Sequence, residues 1–456
     1  MTLPEGPVQA FDVELTGLRG LPPVDGGRAR VLVRRNGVPL TLCVVDVPPE
    51  GLEPAALAQR LTDLIGPSPA AEAVIAGEGD GARRRESAAP RPRMTVQIAT
   101  HNRPGLLRRC LDSVAVVDYP AFDVIVIDNA PSDDEARAAV RDWERANPDV
   151  AVRYLREPIA GAARAHNRGL EVAEGDWVVR TDDDVVVDPQ WLGAIADAAT
   201  CASDVQCVTG LILAAEFGTA TQDRLEQFGG YARGFVRRHV DMAAHRPDDP
   251  LFPFTTGRLG SGANISFDAA RLRARGGFDD ALGPGTPAKG GEDLLALFDV
   301  LADGGGVVYE PSALVWHWNR PDYASLQQLM YDYGVGVTAY LTAAIMREPG
   351  LVARIARNAP RGLWHMLGRS SPKNCAKPRD YPRELERLER RGMLAGPAAY
   401  LAGRRSRTPT DPKTRTSNSA GRWPGECAVA ADHPDPAPPL RGRSPVGRGR
   451  ALGGRP

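Results

Sequence analysis

Three consecutive aspartates, Asp182, Asp183 and Asp184, are the residues whose types and spacing point most clearly to chemistry. They directly follow the short, mostly apolar segment 177–181, which is typical of a strand. Carboxylates are rarely buried without partners, so three of them after a strand predict a polar opening at the end of a sheet, with a cation held there. In an extended segment Asp182 and Asp184 point to one side and can share one Mg²⁺ or Mn²⁺ ion. A solvated acidic turn is the alternative.

Polar side chains also follow two earlier predicted strands. The segment 95–100 reads as a strand and is followed by the polar residues 101–103. The apolar run 124–127 is typical of a strand buried on both faces of a parallel sheet, and Asp128 and Asn129 follow it. Because ligands of open α/β sheets bind at the carboxyl ends of the strands, we expect these side chains and the three aspartates to converge on one crevice.

Strands and helices alternate from Met94 onward, and this alternation predicts the fold class. Helices are predicted from Pro104, over 133–146 and over 162–173, and they are interleaved with strands at 152–155 and 177–181. Three successive strand–helix units predict an α/β fold with a doubly wound, mainly parallel sheet flanked by helices.

The later part of this region carries a second group of notable residues. A Gly-rich turn at 260–262 leads into a strand, and the acidic pair Glu292 and Asp293 enters a predicted helix. A last strand is predicted at 307–309, and His317 lies beyond it between two tryptophans.

Composition indicates an ordinary globular protein. The chain has 456 residues, of which 43% are hydrophobic and 25% are charged, and its formal net charge of −1 points to no particular partner. Six scattered cysteines without metal-ligand spacing are typical of reduced thiols in a reducing compartment. The first residues lack the features of a secretion signal, and no run of eighteen apolar residues occurs. We therefore expect a cytoplasmic protein without a transmembrane segment, able to touch a membrane surface transiently.

The sequence divides into five regions by pattern. Residues 1–65 are predicted to form a small α/β accessory unit, with a hairpin at Asn36-Gly37 and a packing or docking role, and 66–93 to form a linker. The sheet domain is expected over 94–320, a helical extension over 321–403, and a disordered Arg/Pro-rich tail over 404–456. Because the basic tail lacks interleaved aromatic residues, no nucleic acid partner is predicted.

Five segments in order carry a resemblance to a known family: 96–103, 126–133, 161–169, 181–184 and 291–294. Together they resemble family-2 glycosyltransferases of the GT-A fold, over roughly half of the chain. The resemblance implies a Rossmann-like GT-A catalytic domain, a nucleotide-diphosphate sugar as donor and a divalent cation, Mn²⁺ or Mg²⁺, as cofactor. It also implies a hydroxyl-bearing acceptor, which can be a natural product, a lipid-linked glycan or a polysaccharide.

The resemblance implies donor contacts at several positions. Thr100 and Asp128 match the residues that hold the base and the ribose, and a carboxylate at a strand end can accept from an imide N–H or a ribose hydroxyl. Arg164 matches a basic position that can meet the diphosphate, whereas His166 stands where the family more often has Arg. The remaining expected donor contacts are Asn102, Arg103 and Asp183.

The resemblance also implies a metal site and a catalytic pair. Asp182 and Asp184 match the metal motif, and His317 is a candidate third ligand or, alternatively, a histidine packed among aromatic side chains. Asp293 matches the general base of inverting transfer, because an acceptor hydroxyl is a poor nucleophile at neutral pH and needs a carboxylate to take its proton. Glu292 is counted with it as catalytic, although a negative charge at a helix start can also serve the helix dipole.

These features predict a metal-dependent inverting glycosyltransferase. One alternative is a catalytically inactive sugar-nucleotide-binding or scaffold protein. A second is a sugar-nucleotide pyrophosphorylase, which would need a Gly-rich basic loop where this chain has residues 100–104. A processive membrane synthase is disfavoured, because transmembrane spans and a Q-x-x-R-W signature are both missing.

Overall fold

The first part of the chain forms a three-stranded sheet with one helix. The structure, a computed structural model, describes residues 9–24, 27–65, 91–216, 219–375, 377–378 and 380–406. Strand β1 (Gln9–Glu14) pairs in parallel with β2 (Arg28–Arg35), which turns back into β3 (Val38–Asp46), and α1 (Pro54–Ile65) follows. Asn36 and Gly37 make the turn with φ values of 50° and 78°, so the predicted hairpin is confirmed.

A nine-stranded sheet forms the centre of the following region. Its strands are β4 (Met94–Thr100), β5 (Phe122–Asn129), β6 (Val152–Glu157), β7 (Trp177–Asp182), β8 (Val185–Val187), β9 (Val205–Ala214), β10 (Arg238–Val240), β11 (Asn264–Asp268) and β12 (Gly306–His317). They lie in the order β10-β12-β9-β11-β7-β4-β5-β6, and β8 pairs with β12. The pairings give six strands one direction, and only β8, β10 and β11 oppose it. The predicted mixed, mainly parallel sheet is therefore confirmed.

Helices cover both faces of this sheet. In chain order they are α2 (Pro104–Val114), α3 (Glu135–Ala146), α4 (Ala162–Val172), α5 (Trp191–Ala199), α6 (Ala220–Phe228), α7 (Ala269–Ala274), α8 (Glu292–Ala302), α9 (Tyr323–Arg347), α10 (Leu351–Leu367) and α11 (Arg383–Arg405). The apolar side chains of α2, α3 and α5 belong to one core cluster, and those of α4, α7 and α8 belong to another. Within the described ranges, no helix is long and apolar enough to cross a membrane.

The N-terminal unit packs against the large sheet. Leu32 of β2 is fully buried in a cluster with Leu211 of β9 and Tyr309 of β12. Beside this cluster, Arg34 Nη2 lies 2.6 Å from Asp188 Oδ2, and both side chains are less than a tenth exposed. Arg34 also pairs with Asp12 of β1 at 2.7 Å, so one buried guanidinium joins the N-terminal unit to the segment that carries Asp188.

The last strand is longer than the sequence indicated. Residues 307–309 were the expected strand, whereas β12 continues to His317, so His317 ends the strand and does not follow it. Pro311 lies in the added part of the strand, and a proline has no N–H to donate to a neighbouring strand, so within sheets it is found at edges or bulges. Here an irregularity in the register between Glu310 and Leu314 accommodates it.

Two of the expected regions fall largely outside the described residues. Most of the predicted linker, 66–90, and most of the predicted tail, 407–456, lie outside them. The region 321–403 contains the three helices α9, α10 and α11, in line with its helical composition.

Candidate active site

The carboxyl ends of β4, β5 and β7 meet at one edge of the sheet. β4 lies between the other two strands, in parallel with both, and the three strands end at Thr100, Asn129 and Asp182. Thr100 Oγ1 donates a hydrogen bond of 2.7 Å to Asp183 Oδ2, which connects two neighbouring strand ends directly. The structure therefore brings these strand ends together, as the sequence predicts.

Asp183 is the most enclosed of the three aspartates. Its side chain accepts from Thr100 and from Arg103 Nη1, the latter at 3.1 Å, and the residue is 4% exposed. Burial, together with the charge of Asp184, raises the pKa of Asp183 to about 6. Arg103 Nη1 also donates to Asp184 Oδ2 at 3.2 Å, so a single guanidinium offsets two carboxylates. The alternative of a solvated acidic turn does not fit this burial.

Asp182, Asp184 and His317 present a donor set that fits a divalent cation. One ligand atom from each lies within 4.8 Å of the others. His317 Nδ1 lies 2.9 Å from Asn319 Oδ1, and donation to this oxygen leaves the Nε2 lone pair available for a cation. Two carboxylate oxygens and one imidazole nitrogen suit Mn²⁺ in particular, and Mg²⁺ with added water ligands.

Burial and close contact shift the pKa values of Asp182, Asp184 and His317. Burial raises the pKa of Asp182, and the neighbouring Asp184 charge raises it further. Burial also acts against charge on Asp184 and His317, but the hydrogen bond between them prevails and lowers the pKa of Asp184 while raising that of His317. His317 Nε2 lies 3.3 Å from Asp184 Oδ1, so a cation bound between them would take the place of a proton on this nitrogen.

Glu292 is held by an arginine that the sequence reading did not single out. Arg180 of β7 donates from Nη2 to Glu292 Oε1 at 2.7 Å, and both side chains are 5% exposed or less. Glu292 is also the first residue of α8, where a negative charge complements the helix dipole. The carboxylate thus has a positioning role beside Asp293, and its predicted catalytic role stays a prediction.

Asp293 is held by two backbone N–H groups. Oδ2 accepts from Gly262 N and Oδ1 from Leu294 N, each at 2.8 Å. Burial and the adjacent charge of Glu292 raise the pKa of Asp293 to about 6, which suits a base that works near neutral pH. A Cβ at position 262 would lie 2.9 Å from Arg180 Nη2, so a larger residue there would displace this guanidinium.

A cavity of about 1340 Å³ joins the candidate metal ligands and Asp293. Its lining includes three of the predicted donor contacts, Thr100, Arg103 and Asp183. Trp318 also lines it, with the Arg109 guanidinium 3.7 Å from the centre of one of its rings, whereas Trp316 packs on the cluster around Tyr309. The cavity extends from the sheet edge between α9, α10 and α11.

The three other predicted donor contacts have partners elsewhere in the structure. Asn102 Oδ1 accepts from the backbone of Ser132 at 3.0 Å, and Arg164 Nη1 lies 4.0 Å from Asp280 Oδ2. Asp128 Oδ2 accepts from the Tyr154 hydroxyl at 2.7 Å. Asp128 Oδ1, however, is buried and has no partner, so it retains capacity for one further donor.

The sequence did not single out Arg180, and it left the role of His166 open. Arg180 is the only charged residue in the apolar run 177–181 and stands two residues before three aspartates, which could have indicated a buried arginine that pairs with a carboxylate. His166 is 1% exposed, and burial and the charge of Arg180 hold its pKa well below its usual value. A neutral, enclosed imidazole is a poor phosphate ligand, which agrees with its departure from the basic residue expected at that position.

Comparisons with known proteins find similarity to a family over part of the sheet region. Residues 95–257 match the model of glycosyl transferase family 2. An uncharacterized glycosyltransferase of Escherichia coli (strain K12), YibD, is 32% identical over 97 residues, which are 21% of this chain and 27% of that protein. A putative glycosyltransferase of Bacillus subtilis (strain 168), EpsH, is 22% identical over 178 residues, 35% of this chain and 51% of that protein. The chain spans about half or less of the length of these relatives.

Two solved structures show weaker overall similarity. A mannosyltransferase from Pyrobaculum calidifontis in complex with GDP-Man and Mn²⁺, PcManGT, has a TM-score of 0.43 and 20% identity, covering 69% of this chain and 87% of the other. GalNAc-T7 with UDP, GalNAc and Mn²⁺ has a TM-score of 0.38 and 17% identity, covering 54% of this chain and 48% of the other.

Proposed function

We propose that the chain is a metal-dependent inverting glycosyltransferase of family 2, from the match of residues 95–257 to the model of that family and from the geometry of the cavity. Its donor in this proposal is a nucleotide-diphosphate sugar, and its acceptor is a hydroxyl group. One observation carries the proposal: the candidate metal ligands and the backbone-held carboxylate of Asp293 line the same cavity.

The donor end of the cavity has the groups that a diphosphate requires. Asp182, Asp184 and His317 would hold the cation, which neutralises charge on the departing diphosphate when bound. Arg103 donates hydrogen bonds to the carboxylates of Asp183 and Asp184 and thereby fixes their orientation at this end of the cavity. Asp128 has a free buried oxygen at the neighbouring strand end, and we assign it a hydroxyl or imide N–H of the nucleoside.

Asp293 supplies the proton acceptor at the other side of the reacting centre. Its two hydrogen bonds from Gly262 and Leu294 fix the carboxylate and leave lone pairs for the acceptor hydroxyl. Its pKa of about 6 leaves it largely ionised at pH 7, so it can remove the proton as the hydroxyl attacks the sugar carbon. Attack opposite the leaving diphosphate inverts the configuration at that carbon.

The proposed cytoplasmic location rests on the sequence only.

A thermal-shift screen tests the proposal. UDP, GDP and dTDP are each added with and without Mn²⁺, and the corresponding sugar nucleotides are then followed for hydrolysis. We expect one nucleotide to raise the melting temperature only with the cation, because a ligand at about 100 times its Kd adds about 2.7 kcal/mol of stability. Donor binding without any turnover would instead favour a sugar-nucleotide-binding protein, and no nucleotide effect would contradict both.

A further inference from the structure

The cavity has an apolar part that the proposed chemistry does not use. Beyond the acidic edge of the sheet it continues between the C-terminal helices, where many of its lining side chains are hydrocarbon. Examples are Leu326, Leu329 and Leu341 of α9, Leu363 and Met366 of α10, and Met393 of α11. A sugar hydroxyl acceptor alone gains nothing from such walls, whereas a hydrocarbon chain does.

Helix α10 lines this part of the cavity with one face. The lining positions Ile355, Ala359, Gly362 and Met366 recur at helical spacing. Yet Leu351 is the only buried residue among the described side chains of the helix. Leu363 is 60% exposed and borders the cavity, so the apolar face of α10 is not occupied by a core.

The opposite face of α10 is basic and carries a tryptophan. Arg357, Arg361 and Trp364 share that face at spacings of three and four residues, and Trp364 is 51% exposed. From 349 to 378 the sequence has six Lys or Arg residues and no Asp or Glu. An exposed tryptophan among basic residues, next to an apolar face, is the pattern of helices that lie at an anionic bilayer surface.

We propose that the acceptor is an amphiphile anchored in an anionic bilayer. Its hydrocarbon chain occupies the cavity between α9, α10 and α11, and its hydroxyl reaches Asp293. The basic face of α10 contacts the lipid headgroups. This inference rests on the proposed function and names the acceptor class for the same site.

The charge of the basic face of α10 disfavours two other binding partners, the segment 407–456 and a second copy of the chain. The segment 407–456 has nine Lys or Arg against four Asp or Glu, so it is not complementary to a basic face. A second copy packed on the basic face across a twofold axis would place Arg357 and Arg361 near their equivalents, which costs energy. An anionic lipid surface offers the complementary charge.

Binding of alkyl β-glucosides to the full chain tests the hydrocarbon site without any need for transfer. Below their micelle concentrations, hexyl, octyl and decyl glucoside should bind more tightly by about fourfold per added methylene, because each buried CH₂ contributes about 0.8 kcal/mol. Leu363→Asp should weaken octyl glucoside binding at least about tenfold. The control Val116→Asp, at a position 64% exposed and not counted among the cavity-lining residues, should bind octyl glucoside normally.

Vesicle sedimentation tests whether the protein binds an anionic bilayer, which is where the proposed amphiphilic acceptor is anchored. The protein should sediment with phosphatidylcholine vesicles containing phosphatidylglycerol and not with pure phosphatidylcholine. Arg357→Glu combined with Arg361→Glu should abolish this, while Arg145→Glu, a 74% exposed arginine on α3, should not.

Three results would overturn the inference. They are no dependence of alkyl glucoside binding on chain length, equal binding to both vesicle types, or a dimer in sedimentation velocity that Leu363→Asp dissociates. Because nucleotide binding is measured separately, any of these can occur while the proposed transferase activity stands.

Discussion

The Arg180 guanidinium donates a hydrogen bond of 2.7 Å to the Glu292 carboxylate and thereby joins β7 to the first turn of α8. β7 ends in Asp182, and α8 contains Asp293 as its second residue. The pair therefore connects the strand that carries a candidate metal ligand to the helix that carries the candidate base. Its two side chains are at most 5% exposed, so neither charge is solvated by bulk water.

Removing one partner of this pair should destabilise the fold. Glu292→Gln leaves the buried Arg180 charge without its direct partner, and we expect a loss of about 3–5 kcal/mol in the free energy of unfolding. The double variant Arg180→Met/Glu292→Leu should lose less than Glu292→Gln alone. Urea denaturation measures both. The control Asp112→Asn breaks an exposed pair with Arg108 and should change stability by less than about 1 kcal/mol.

The pH dependence of turnover should report Asp293. A base acts only when ionised, and burial with the Glu292 charge places its pKa at about 6. We therefore expect kcat/KM to be level above that pH and to fall about tenfold per unit below it. Because Glu292 raises this pKa, Glu292→Gln should move the acidic limb to lower pH. An unchanged limb would show that another group is titrating.

Loss of a metal ligand should uncouple nucleotide binding from the cation. In Asp184→Asn the remaining donors are Asp182 and His317, and we expect the Mn²⁺-dependent rise in melting temperature with nucleoside diphosphate to disappear. Asp112→Asn is a matched control, because it removes an exposed carboxylate outside the cavity lining. Nucleotide stabilisation that survives both Asp184→Asn and chelation with EDTA would contradict the metal assignment.

Asp128 should contribute to nucleotide affinity through its unpaired oxygen. Asp128→Asn replaces an ionised acceptor, so we expect nucleoside diphosphate to bind about tenfold or more weakly, measured by calorimetry. Asp123→Asn is the control, because Asp123 lies near the other end of β5 and accepts from Thr95. Equal effects of the two variants would indicate a general loss of strand packing.

Local patterns predicted the strand ends of the site well. The helix predicted from Pro104 is present as α2, and its buried residues Leu107, Cys110, Leu111 and Val114 recur at helical spacing. Convergence of the strand-end residues also followed from the sequence, since parallel strands end at the same edge of a sheet.

Long-range contacts were beyond sequence reasoning. Arg180 and Glu292 are 112 residues apart, and nothing local to either shows that they pair. His317 was expected after a strand at 307–309, whereas β12 continues to His317 through a register irregularity between Glu310 and Leu314. Tyr340 packs against Phe298 and also lines the cavity, and only the three-dimensional arrangement of α9 shows both contacts.

Asp293→Asn tests the central claim most directly, measured as Mn²⁺-dependent hydrolysis of whichever sugar nucleotide stabilises the native protein. The amide keeps the shape of the side chain and cannot accept a proton from the attacking hydroxyl or water. We predict donor affinity within about twofold of the native value and turnover reduced at least about 100-fold. Turnover close to the native rate, or donor binding lost as severely as turnover, would contradict the assignment of Asp293 as the base.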